Sequence, residues 1–92
     1  MGPEPSYALL ATPEAKRHLD RLPEKVLHAA LELIHGPLAE DPHCVGKPLL
    51  GELAGLWSAR RADYRVIYEV DDDARTVTVH RVQHRRDVYR PR

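Results

Sequence analysis

The chain lacks most of what a secreted, membrane or metal-dependent protein is built from. It has one cysteine, Cys44, so no disulfide can form within it. No apolar run approaches the roughly 18 residues that a membrane span needs. The N-terminal M-G-P-E-P-S has neither a basic stretch nor an apolar one of the signal-peptide kind, so a cytoplasmic protein is expected. No glycine-rich phosphate loop is present. Six histidines accompany the lone cysteine, but no C-x-x-C pair points ligands at one centre, so no metal or other cofactor is expected. Asp71-Asp72-Asp73 fits no calcium loop and reads as a solvated turn. Ser6 and Ser58 have no base near them in sequence, which leaves a nucleophile triad without support.

Net charge is also absent, with 14 cations against 14 anions. A neutral protein has little long-range attraction for free nucleic acid. The balance is uneven along the chain, however. The first 46 residues carry four cations and seven anions, and the second 46 carry ten and seven. From His80 onward there are five arginines and one aspartate. Such a local cluster suits a specific anionic contact; the plain alternative is a solvated tail.

Ninety-two residues, 42% of them hydrophobic and 30% charged, suffice for one domain over residues 1–92. Ser6–Ala11 is short and apolar and predicts a first strand. Thr12-Pro13-Glu14 then supplies a capping hydroxyl, a proline whose missing N–H does no harm, and an acid in the first turn. The helix buries Ala15, Leu19 and Leu22 and ends before Pro23. A second helix carries Val26, Leu27, Ala30, Leu31 and Ile34 at helical spacing, and Gly36-Pro37 is expected to stop it. The joint is so short that the two form an antiparallel hairpin. His43–Leu53, punctuated by glycine and proline, reads as a crossing loop. Strands follow at Leu56–Arg61, Tyr64–Asp71 and Thr76–Gln83, joined by turns short enough to make all three antiparallel. The fold class is α+β: a strand, a helical hairpin and a three-stranded meander, forming one sheet under the helices.

The stretch Trp57 to Val70, W-S-A-R-R-A-D-Y-R-V-I-Y-E-V, organises the rest. Tyr64, Val66, Tyr68 and Val70 alternate with Arg65, Ile67 and Glu69, the period of a strand. Arg65 is the oddity, because a cation at the start of an apolar strand is costly to bury without a partner. If the last strand pairs with Tyr64–Asp71, its end lies beside the start of that strand, which brings His84 and Arg85 near Arg65. Guanidinium, imidazole and phenol at one end of a sheet meet the needs of RNA phosphodiester cleavage. Histidine can take the 2′-hydroxyl proton, arginine forks can stabilise charge on the phosphorane, and an aromatic ring can stack on an unpaired base. The competing account makes Arg65 and Glu69 salt-bridge partners and Tyr89 a core residue.

The run G-E-L-A-G-L-W-S-A-R-R-A-D-Y-R-V-I-Y-E-V-D-D, followed by V-H-R-V-Q-H-R-R-D-V-Y-R, resembles the RelE/ParE superfamily of bacterial toxins. P-x-A-x-R-x-L-x-x-L-P over Pro13–Pro23 is compatible with it, so the resemblance spans nearly the whole chain. It implies the RelE-like fold and a toxin neutralised by a cognate antitoxin in a hetero-oligomer. On the RelE branch it also implies metal-free cutting of messenger RNA in the ribosome. Position by position, Arg65 matches the phosphate-contacting arginine of the family's Y-R motif. Arg85 and Tyr89 match its C-terminal arginine and tyrosine, at a spacing two residues shorter here. His84 stands where some relatives carry a catalytic histidine. Arg60, Arg61, Arg81, Arg86 and Lys47 complete the expected RNA-holding set. RelE-type relatives place lysines on the strand before Y-R; this chain has Leu56, Ser58 and Arg60 there, which shifts the expected base to His84. The ParE branch, whose members poison DNA gyrase without nuclease chemistry, shares Y-R-V-I-Y, and the H-R-R-D-V-Y-R end favours RelE. An acidic antitoxin, the ribosome and messenger RNA are the expected partners.

Overall fold

A computed structural model describes residues 6–84 of the chain. The first strand, β1, is Ala8–Ala11, shorter at its start than Ser6–Ala11. Thr12 caps the helix α1 (Pro13–Asp20), its hydroxyl oxygen accepting from the Ala15 amide at 3.1 Å. A second helix, α2 (Glu24–Leu33), starts after Pro23. Gly36-Pro37 does not stop the coil as expected. Beyond Leu33 it widens into a π-helical turn over Ile34–Leu38. Pro37 has no N–H to return an α-helical bond, yet Ile34 and Leu38, one turn apart, are both buried in the core, and that burial keeps the chain coiling.

The expected crossing loop over His43–Leu53 is also more ordered than its prolines and glycines suggest. It holds a short helix, α3 (Pro42–Val45), a two-residue strand, β2 (Lys47–Pro48), and a 3₁₀ turn at Gly51–Leu53. Gly46 lies between α3 and β2, where a Cβ would meet the Tyr68 hydroxyl and sit 2.7 Å from the Ser58 carbonyl oxygen. Only glycine allows that approach, and the approach lets β2 pair with the next strand.

The meander is as expected: β3 (Trp57–Arg61), β4 (Tyr64–Asp71) and β5 (Thr76–His84), antiparallel in turn. The sheet order is β1-β5-β4-β3-β2, with β1 parallel to β5 and β2 antiparallel to β3. Ala15, Ala30, Leu33 and Leu38 from the helices share one core with Ala59, Tyr64, Val66, Tyr68, Val77, Val79 and Val82. Both helices therefore cover the same face, and the other is left open. The helices fasten through tyrosine as well: the Tyr64 hydroxyl donates to the Ala29 carbonyl at 2.8 Å. Among the described residues no helix is long and apolar enough to cross a membrane.

One irregularity decides which side chains reach the open face. The β4–β5 register steps from Ile67 opposite Arg81 to Tyr68 opposite Val79, so His80 is a surplus residue in a β-bulge. The bulge lets Val77 and Val79, two apart, and Val82, three further on, all enter the core. At its far side the Val82 amide, past the end of β1, donates to His18 Nδ1 at 3.2 Å.

Candidate functional site

The open face forms a groove walled on one side by the leucines of the β2–β3 connection. Its first part is lined by Lys47, Leu49, Ser58, Arg60 and Arg65. Its second part is lined by Leu49, Arg65, Ile67, His80, Arg81 and Gln83, together with Leu53, Leu56 and Glu14. Arg65 and Leu49 belong to both, so Arg65 is at the middle. Ile67, only 7% exposed, floors the groove.

Register explains the grouping. The turn Ala62-Asp63 joins β3 to β4 with Ala62 at φ 53°, and this sets Arg60 directly opposite Arg65. Lys47 stands opposite Ser58, two residues before Arg60 and therefore on the same face. Among the described residues, Lys47, Arg60 and Arg65 make no ion pair. The Arg65–Glu69 salt bridge considered from the sequence does not form: Glu69 Oε1 lies 3.0 Å from His80 Nε2 instead. Arg81 reaches Glu14, Nε to Oε2 at 3.7 Å, and the same carboxylate oxygen lies 3.7 Å from His18 Nε2.

The structure thus gathers Lys47, Arg60, Arg65 and Arg81 in one groove. Arg61, opposite Tyr64 at the turn, has the helix-side place in the pleat instead. His84 is next to Arg65 along the sheet, as the antiparallel pairing predicts, but not on its face. Gln83 is the residue opposite Arg65, and His84 stands opposite Tyr64 on the core side of the pleat. Arg85, Arg86 and Tyr89 lie outside the described residues. His80 was missed in the sequence; its signal was the spacing of Val77, Val79 and Val82, which only a bulge reconciles with one buried face.

The opposite end of the sheet carries a different cluster. The Tyr7 hydroxyl donates to Asp72 Oδ1 at 2.6 Å, and His43 Nε2 lies 2.8 Å from the same oxygen. Those two bonds, Tyr7 first, hold the Asp72 carboxyl below its ordinary range, and the bond to Asp72 raises the Tyr7 phenol. Trp57 lies edge-on to His43 at 4.9 Å and stacks on Tyr68 at 6.5 Å. The Tyr68 hydroxyl donates to the Pro42 carbonyl at 2.6 Å, and burial pushes that phenol up to about 12. These contacts fasten α3 to the sheet.

The family described as ParE toxin of type II toxin-antitoxin system, parDE, matches residues 9–89. In sequence the chain is 48% identical over 84 residues to the toxin RelG of Mycobacterium tuberculosis, covering 91% of this chain and 97% of that one. It is 44% identical over 90 residues to the toxin RelE of the same organism, covering 98% and 93%. In structure it is similar to a chain of the M. tuberculosis toxin–antitoxin complex RelBE2, with TM-score 0.86 and 46% identity over 89% of this chain and 94% of that one. The isolated E. coli RelE toxin shares the fold at TM-score 0.71 and 18% identity, over 86% and 84%.

Proposed function

The chain belongs to the ParE toxin family of type II toxin–antitoxin systems, on its RelE-like branch, and from that premise we propose that this toxin is a ribosome-dependent endoribonuclease that cuts translated messenger RNA. Arg60 and Arg65 carry the reading. Like charges directly opposite in a strand pair destabilise it, and neither arginine has an ion-pair partner among the described residues. An anion held between the two forks would offset that cost, and a phosphodiester fits their planar geometry.

In this reading Arg65 and Arg60 grip the scissile phosphate and stabilise the charge that grows on it, while Lys47 and Arg81 follow the RNA backbone to either side. The chemistry is an acid–base attack by the 2′-hydroxyl without a metal. Arg85 and Tyr89, which follow β5 in the sequence, complete the catalytic set, while His84, the base expected from the sequence, stands on the core side of the pleat. The protein's neutrality argues that the ribosome, not long-range attraction, brings the substrate. The toxin then works in the cytoplasm beside the ribosome. An acidic antitoxin that covers the groove and the arginine-rich end silences it, in keeping with the complex RelBE2 being one of toxin and antitoxin.

Mapping 5′ ends of transcripts after brief induction tests the proposal. Cuts confined to translated regions and placed in reading frame are expected. Intact messages with accumulating cleaved gyrase–DNA complexes would replace it with the ParE-like alternative.

A further inference from the structure

Cleavage by 2′-hydroxyl attack needs a proton acceptor, and arginine, always protonated, cannot be one. The expected base, His84, stands opposite Tyr64 on the core side of the pleat, while the arginine groove is on the other. The groove has an imidazole of its own. His80, the surplus residue of the bulge, lines it with Arg65, Ile67 and Arg81. Its Nε2 lies 3.0 Å from Glu69 Oε1. A carboxylate only accepts, so Nε2 carries the hydrogen and Nδ1 keeps its lone pair. Among the described residues no hydrogen bond occupies Nδ1. The side chain is 34% exposed and is held through Nε2. His80 flanks Arg81, the partner of Ile67, and Ile67 is two residues from Arg65, or about 7 Å of strand. A ribose next to a phosphate on Arg65 spans that gap.

We propose that His80 is the general base of the cleavage and that Glu69 is its positioning residue, fixing the tautomer that leaves Nδ1 open. The proposal rests on the endoribonuclease reading. Nδ1 takes the 2′-hydroxyl proton, and the 2′-oxygen bonds to phosphorus as the P–O5′ bond breaks. The departing 5′-oxygen takes a proton from solvent, leaving a 2′,3′-cyclic phosphate and a 5′-hydroxyl.

Single-turnover cleavage of message on stalled ribosomes, with toxin in excess, separates the two levels. A wild-type protein that cuts nothing there overturns the endoribonuclease reading, and this assignment with it. Where the wild type cuts, His80→Ala is expected to be slowed about 100-fold with ribosome binding unchanged. Imidazole added to the buffer should restore part of the rate, which a misfolded protein cannot show. Glu69→Ala is expected to be slowed about tenfold, and Glu69→Gln, whose amide oxygen still accepts from Nε2, to regain most of the loss. Folded His80→Ala protein within about threefold of the wild type would overturn the assignment while leaving the endoribonuclease reading intact. Glu69→Gln no better than Glu69→Ala would overturn the positioning role.

Discussion

Arg60 and Arg65 stand directly opposite each other across β3 and β4, two like charges in register on the open face of the sheet. If this pairing serves a ligand rather than the fold, removing either charge relieves repulsion while activity collapses. Arg65→Ala is expected to lower cleavage on the order of a hundred- to a thousand-fold and to melt no earlier than the wild type. Arg65→Lys, which cannot make the paired bonds of a fork, should fall between. Arg65→Glu should be inactive yet more stable by about 0.2–1 kcal/mol, because it faces Arg60 with the opposite charge. Growth arrest on induction, beside denaturant unfolding of each variant, checks all three.

Lys47 and Arg81 flank that pair and are expected to act as backbone contacts. Lys47→Ala and Arg81→Ala should each weaken binding of a single-stranded RNA oligonucleotide. Each should also make the slope of log affinity against log salt shallower by about 0.7. Glu14 holds Arg81 at 3.7 Å, so Glu14→Gln should strengthen binding. Titrations at several salt concentrations read this directly. Unchanged slopes would remove both residues from the RNA path.

Gly46 and Tyr68 fasten β2 to the meander. Gly46→Ala puts a methyl against the Ser58 carbonyl and the Tyr68 hydroxyl and should cost about 1–3 kcal/mol. Tyr68→Phe strands the Pro42 carbonyl and should cost about 1–3 kcal/mol. Because burial raises the Tyr68 phenol to about 12, the unfolded chain ionises first. The wild type should therefore lose stability as the pH climbs from about 10 towards 12, a loss smaller in Tyr68→Phe, which keeps only the raised phenols of Tyr7 and Tyr64. Unfolding midpoints across that range decide it.

The exposed Tyr7–Asp72–His43 cluster acts at the other end of the pH scale. The Asp72 carboxyl titrates below its ordinary value of 3.8 when folded, so its contribution is complete above that value and disappears as the pH falls further below it. Wild type and Asp72→Asn should differ in melting temperature at neutral pH, and the gap should narrow under acid. A gap that is constant down to pH 2 would mean that the charge on Asp72 adds nothing.

The parts of the fold that repeat a local rule were legible in the chain. Thr12-Pro13-Glu14 carries a helix start in three residues, and Tyr64–Val70 alternates cleanly enough to place Arg65 away from the core. The short Ala62-Asp63 turn then puts Arg60 opposite it. What stayed hidden depends on tertiary contact. Two residues, Lys47-Pro48, hold no periodicity, and β2 exists because Ser58 and Trp57 pair with them and Gly46 admits the approach. Gly36-Pro37 looks like a stop until the burial of Ile34 and Leu38 is known. His84 seemed the groove's histidine because adjacency along a sheet was legible while the face was not, and the face turned on His80.

That surplus residue is also a counter. A strand deals its side chains to alternate sides, so each residue inherits its side from how many precede it. Val82, three residues past Val79, reaches the core only because the bulge takes His80 out of the count. A strand that ran unbulged through all of these residues would hand every later position to the other side, turning Val82 out to water and His84 towards the groove. Deleting one residue between Val79 and Val82 would instead restore plain alternation and leave both where they are. The arithmetic of this short run, more than the chemistry of any one residue in it, therefore decides which residues at the end of β5 face the groove and which face the helices.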